Sequence, residues 1–238
     1  MEDDELYFDK FWEASSLDKF NLEQFAQSLN TYDSDDKELT LELPIKPVSI
    51  PISSSATNKI AKKRKSSREF SNRELSIKNL GRVLSSFYAW NGLEHRAYPS
   101  AGATYVNEIF CVAFNVENYS GKIIYYDPEL HGITIVKDNA ISWAEAKDKL
   151  NMNIEGEPNL LVIFVSFTER VLSKYGERGG RFALLEIGAA LQQLSLQVAE
   201  SKRLKGVAVG GMLDNFWKRE LKLDRTDAHI TIGYLVGQ

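Results

Sequence analysis

An α+β domain is the fold class this sequence predicts, and three observations carry it. Short apolar runs with strand character and longer apolar-periodic stretches with helix character occur along one chain. They follow no regular strand–helix–strand alternation, so a doubly wound parallel sheet is not indicated. At 238 residues with 43% hydrophobic content, the chain is long enough to cover a sheet with helices.

The elements follow in order. Residues 1–45 are acidic and carry Phe8, Phe11, Trp12, Phe20 and Phe25 at roughly helical spacing, which predicts one or two short helices. Residues 30–37 form a polar break. Residues 38–50 alternate around two prolines and read as extended chain. Residues 53–67 are Ser-rich and basic with few apolar anchors. Residues 74–90 predict an amphipathic helix, with Leu75, Leu80, Val83, Leu84 and Phe87 on one face and Ser71 or Asn72 as cap. A turn-rich loop at 98–104 leads to strands at 105–115, 122–126 and 132–136. A short helix is expected at 143–150 and a buried strand at 160–167. Residues 172–181 read as a loop punctuated by three glycines, and 182–202 as a central helix. Strands at 207–212 and 230–236 complete the chain. Residues 1–45 are a candidate partner-docking segment whose aromatic residues suit a hydrophobic groove, or a segment that folds back on its own domain. The main domain is expected over 46–238.

Composition narrows the function classes. A net charge of −4 argues against non-specific nucleic-acid binding. Cys111 is the lone cysteine; it cannot form an internal disulfide, suits a reducing cytoplasm, and is expected to pack in a core. The first five residues are acidic and no apolar signal core follows them. No stretch is read as approaching the roughly 18 apolar residues of a membrane span. His95, His131 and His229 are scattered in sequence, so no metal site is expected. No nucleophile elbow points to a serine hydrolase. Gly176, Gly179 and Gly180 lack dinucleotide-binding spacing.

Three clusters remain. Arg64, Ser66 and Arg68 place guanidinium forks and a hydroxyl close together, as an oxyanion such as phosphate requires; a solvated linker is the alternative. Lys174 and Tyr175 are adjacent titratable groups between core elements, suited to proton transfer or to a plain solvated connection. Gly210 and Gly211 follow a short strand with side-chain-free backbone that can lie against a flat ring or simply turn.

The order Arg64-x-Ser66-x-Arg68, Tyr98-Pro99-Ser100-Ala101-Gly102-Ala103 with Glu108, Lys174-Tyr175-Gly176-Glu177-Arg178-Gly179 with Arg181, Glu186-x-Gly188, Gln193 and Gly210-Gly211 resembles the SagB-type dehydrogenases, a branch of the FMN-dependent nitroreductase superfamily. The resemblance covers roughly residues 50–238. Those enzymes oxidise thiazolines and oxazolines to thiazoles and oxazoles in peptide natural products. It implies a nitroreductase-like FMN-binding fold, with a mixed or antiparallel sheet flanked by helices, that dimerises with FMN at the interface. It implies that Arg64, Ser66 and Arg68 hold the flavin phosphate and ribityl chain. Pro99, Ser100 and Ala101 then pack near the isoalloxazine from the other subunit, Gly210 and Gly211 lie at its reactive edge, and Gln193 is a further flavin contact. Lys174 and Tyr175 match the catalytic pair, which takes a proton while a hydride goes to the flavin. The family's late basic phosphate ligand has no counterpart here, and Arg219 or Arg225 is the candidate substitute. The implied partners are a precursor peptide, cyclodehydratase subunits and a second copy of the chain; neither nucleic acid nor membrane is expected. The competing functions are an NAD(P)H-dependent nitroreductase or flavin reductase acting on small molecules, which needs no such base, and a flavin-binding but idle scaffold subunit. Which precursor peptide and which ring are left open.

Overall fold

A computed structural model describes residues 7–31, 49–90 and 95–238. The extended reading of residues 38–50 falls almost wholly outside them, as does most of the polar break at 30–37. The helices are α1 (Tyr7–Ser15), α2 (Leu22–Thr31), α3 (Ala56–Ala61), α4 (Ile77–Leu84), α5 (Trp143–Ala146), α6 (Glu169–Tyr175), α7 (Arg178–Glu200) and α8 (Asp214–Glu220). The strands are β1 (Asn107–Ala113), β2 (Lys122–Asp127), β3 (Gly132–Asp138), β4 (Leu160–Ser166), β5 (Lys205–Val209) and β6 (His229–Gly237). They form one six-stranded sheet in the order β3-β2-β1-β4-β6-β5, with every neighbouring pair antiparallel. The α+β reading holds, and the sheet is antiparallel throughout.

Strand β4 is central and buried along its whole length. Its pleat sends Leu160, Val162 and Phe164 to one face, where α4 and α7 cover them, and Leu161, Ile163 and Val165 to the other, under α5 and α8. Cys111 is fully buried beside Val162 in the first layer, and burial pushes its thiol far above the ordinary range.

Four local expectations change. Residues 172–181 are not a loop. Helix α6 runs through Lys174 and Tyr175 and ends at Gly176 in the left-handed region (φ 56°), and α7 begins two residues later. Gly179 makes this corner possible, because a Cβ there would overlap the Val171 carbonyl. The cap of α4 is Ser76, whose Oγ accepts from the Asn79 N–H at 3.3 Å, and not Ser71 or Asn72. The helix starts late because Leu75 is still held extended, donating to the Asn115 carbonyl and accepting from the Glu117 N–H. The Ser-rich stretch holds the short helix α3, capped by Ser55. Finally, α7, at 23 residues, is long and apolar enough by composition to cross a membrane, a span not expected from sequence. Here it packs Ala183, Ile187, Ala190 and Leu194 into the domain core, and Glu186 lies on that same buried side.

Candidate active site

Antiparallel pairing brings the start of β1, the end of β4, the end of β5 and the start of β6 to one end of the sheet. The segments attached there carry most of the expected site: residues 99–105 before β1, α6 after β4, and Gly210-Gly211 after β5. Lys174 and Tyr175, on the last turn of α6, reach over to the turn before β1. Lys174 Nζ makes a long 3.5 Å contact to the Gly102 carbonyl and stands 5.5 Å from the Tyr175 ring centre. Gly102 has φ 59°, and a Cβ there would overlap both the Lys174 ammonium and the Tyr175 hydroxyl. Two motifs some 70 residues apart in sequence thus close on each other. Lys174 is exposed and Tyr175 half-buried, with Phe182 edge-on to the Tyr175 ring at 5.1 Å.

The Gly102 turn is strained and tied down. Ala103 (φ 54°) and Tyr105 (φ 41°) follow it in the left-handed region, each at a cost of about 1–3 kcal/mol. Ser100 Oγ accepts from the Tyr105 N–H at 2.9 Å and donates to Glu186 Oε2 at 2.5 Å. The other Glu186 oxygen accepts from the Asn107 N–H at 3.1 Å and from its side-chain amide at 2.8 Å. Asn107 in turn accepts from Ser166, which shares a hydrogen bond with Thr231. Ser100 was expected to serve the partner's flavin; in its own subunit its hydroxyl is already engaged. Glu186 stood in the sequence motif without a role. A charged residue in register with Ala183, Ile187 and Ala190 on a helix's buried face was the signal. Pro99 is exposed and Ala101 half-buried beside this turn.

The basic cluster lies toward the other end of β5. Ser67 donates its N–H to the Gly206 carbonyl at 3.0 Å, and Arg68 accepts from Glu155, so residues 67–68 run as an extended edge. Arg64, Ser66 and Arg68 are exposed, and among the described residues neither guanidinium has a carboxylate partner within ion-pair distance. Burial pushes the Tyr234 hydroxyl up to about 12, and the Arg64 charge opposes that rise. Strand β5, five residues or roughly 16 Å of extended chain, separates these cations from Gly210. A Cβ at Gly210 would meet open space, whereas one at Gly211 would press on Asn151. Free cations and a hydroxyl at one end and bare backbone at the other fit a ligand with a phosphate and a flat ring, so the residues present suit FMN. Gln193 is placed apart, in a cavity of about 490 Å³ lined by Thr57, Ile60 and Trp90 and by none of the other expected site residues.

The N-terminal segment folds back on this end of the domain. Phe8 is buried against Gly180, Val106 and Val171, and the Glu177 carboxylate accepts from the Tyr7 and Phe8 N–H groups at the start of α1. Leu17 donates its N–H to Asp214 Oδ2 at 2.7 Å and accepts from the Asp214 N–H. Burial raises the Asp214 carboxyl to about 6. Phe11, Trp12 and Phe25 line a cavity of about 260 Å³ together with Leu184, Thr231 and Gly210. A larger cavity of about 610 Å³, also lined by Trp12, lies against Thr168, Lys218 and His229 and holds none of the expected catalytic or cofactor residues. The Trp12 ring lies tilted against His229 at 4.8 Å, and burial, then Lys218, lowers the imidazole pKa. The α1–α2 segment is thus part of the site's wall, which sequence reasoning did not assign.

Comparison with known proteins agrees with this architecture. The Nitroreductase family profile matches residues 61–238. A Methanocaldococcus jannaschii protein named as a nitroreductase, MJ1384, is 33% identical over 165 residues, 68% of this chain and 81% of that protein. The microcin B17-processing protein McbC of Escherichia coli is 28% identical over 169 residues, 68% of this chain and 62% of McbC. The solved E. coli microcin synthetase McbBCD complex with truncated pro-MccB17 bound contains a chain of the same fold, with a TM-score of 0.68 at 24% identity, covering 94% of this chain and 83% of that one. The profile match spans most of the sequence, and with it the chain belongs to the nitroreductase family.

Proposed function

We propose that this protein is an FMN-dependent dehydrogenase that oxidises thiazoline or oxazoline rings to thiazoles or oxazoles in a ribosomally made peptide, as a subunit of a peptide-modifying synthetase. The observation that carries the reading is the closure of Lys174 and Tyr175 onto Gly102. Aromatising an azoline removes a hydride and a proton from adjacent atoms, so the site needs a base as well as an electron acceptor. FMN, when bound, supplies the acceptor. Arg64, Ser66 and Arg68 hold its phosphate and ribityl oxygens, and Gly210 leaves room for its ring. Lys174 and Tyr175 take the ring proton of the substrate, one assisting the other. Similarity to McbC supports the peptide substrate and the synthetase partners. Pro99 and Leu185 are exposed beside this end, and a second copy of the chain completes the flavin site across them. The buried free thiol of Cys111 suits a cytoplasmic setting.

The similarity to MJ1384 favours a second reading, an NAD(P)H-dependent reductase of nitro compounds or free flavin. The test runs both reactions on the FMN-loaded protein. Under the proposal, an azoline-containing peptide is converted with a 2 Da mass loss per ring. NAD(P)H-driven nitro reduction without any azoline oxidation overturns it.

A further inference from the structure

We propose that Glu186 is the positioning residue for the Lys174–Tyr175 pair: through Ser100 it holds the Gly102 turn against which the two side chains close. The inference rests on the reading of that pair as the proton-transfer group.

Glu186 is only 3% exposed, and among the described residues it has no ion-pair partner. Its carboxylate is instead met by neutral donors from two places, Ser100 on the turn and Asn107 on β1. A buried carboxylate is costly unless its oxygens are filled, so these bonds are held firmly. The Asn107 side anchors Glu186 to the sheet, because Asn107 is fixed by Ser166 of β4 and that residue by Thr231 of β6. The Ser100 side is where the anchoring is transmitted. A hydroxyl has one proton to give. Ser100 gives its proton to Glu186 and takes the Tyr105 N–H, which spans the turn from residue 100 to residue 105. The left-handed residues Gly102 and Ala103 lie inside that span, and Tyr105, also left-handed, closes it. With the Glu186 oxygen removed, the Ser100 hydroxyl keeps only its long 3.4 Å contact to Thr104 Oγ1 and the Tyr105 N–H, both within the turn itself, so the turn loses its tie to the sheet, relaxes, and carries the Gly102 carbonyl away from Lys174 Nζ. Among the described residues Glu186 hydrogen-bonds to Ser100 and Asn107 and to neither Lys174 nor Tyr175, so it acts through the turn.

The test uses the full-length protein, FMN-loaded and FMN-stripped, with Ser100→Ala, Glu186→Ala and Glu186→Gln. Lysine amines are methylated with ¹³C, and the Lys174 resonance is assigned by its loss in Lys174→Ala. The expected result is a displaced Lys174 resonance in Ser100→Ala and Glu186→Ala, with or without FMN. Azoline oxidation by those two variants, measured per bound FMN because Ser100 is also an expected flavin contact, falls about 10–100-fold in kcat with KM little changed, as a misplaced catalytic group predicts. Glu186→Gln keeps an acceptor for Asn107 and a polar contact to Ser100, and recovers most of that loss. An unmoved Lys174 resonance in folded Ser100→Ala overturns the inference, and that variant decides it even if Glu186→Ala does not fold. A wild-type protein without azoline oxidation sinks the proposed reaction, while the Lys174 resonance still decides the role of Glu186.

Discussion

A methyl group at Gly102 has no room. The position has φ 59°, and its missing side chain is the space into which Lys174 Nζ and Tyr175 OH project. Gly102→Ala is expected to push both groups off and lower azoline oxidation at least about tenfold while leaving FMN bound, read as flavin absorbance against rate in one preparation. Lys174→Ala and Tyr175→Phe remove the groups themselves. Each is expected to bind FMN normally and to lose about 10²–10⁴-fold in rate, the range of a positioned proton-transfer group. The double variant should lose less than the product of the two, because paired groups act as a unit. Full activity in either soluble, FMN-replete single variant removes that residue from the mechanism. Type and adjacency make this candidate pair legible in the sequence. They did not show Glu186, Asn107 and Ser166 behind it, because a hydrogen-bond chain spanning β1, β4 and α7 leaves no local spacing to read.

Elements carry the next level of control, and α1 is the informative one. Its periodic aromatics made it legible as a helix, yet what it docks on was not. Glu177, from the α6–α7 corner, caps its first turn, and Asp214, at the start of α8, binds Leu17 just beyond its end. The Asp214 carboxyl is raised to about 6 from 3.8 by burial. Between those values the folded chain binds the proton more tightly than the unfolded chain does. The group's contribution is therefore fully favourable below about pH 4 and is lost as pH rises through about 6. Asp214→Asn keeps the acceptor for Leu17 without the charge. It is expected to be more stable than wild type at pH 7.5 by about 1–3 kcal/mol, and the advantage should vanish at pH 4. Thermal melts across that range check it; equal melting points at pH 7.5 refute it. The same contacts bear on residues 1–45. Among the described residues of this segment, Tyr7 at the start of α1 and Phe20 in the turn before α2 are the aromatic side chains most open to a docking partner.

At the scale of the molecule the expectation is a yellow homodimer. Heat release should give FMN and not FAD, and a colourless protein that cannot be reconstituted with FMN overturns the cofactor assignment. Replacing Arg64 and Arg68 by Ala removes two charge-assisted donors and should weaken FMN binding about 10–100-fold for each. Helix α7 turns Leu185 outward, 69% exposed, on the same helix whose inner face builds the core. An apolar side chain in that place suits an interface between copies. Sedimentation of Leu185→Glu is expected to shift the dimer toward monomer and to cut flavin occupancy with it. A monomer that retains full FMN refutes the shared site.

The sequence by itself determined the α+β class, the six described strands to within a few residues and the long helix, and it offered candidate residue types for anion binding and proton transfer. These are properties of short windows: a period of two or 3.6, a run of β-branched residues, a pair of neighbours with the right chemistry. Only the tertiary structure decided that α6 continues through Lys174 and Tyr175, since whether Gly176 ends a helix or sits in a loop depends on Gly179 lying against Val171. It also decided which segments share an end. Antiparallel order β1-β4-β6-β5 puts the turn before β1, the helix after β4 and the glycines after β5 beside one another. Strand order arises from burying both faces of β4 at once, a cooperative packing choice among distant segments, and no local stretch of the chain encodes it.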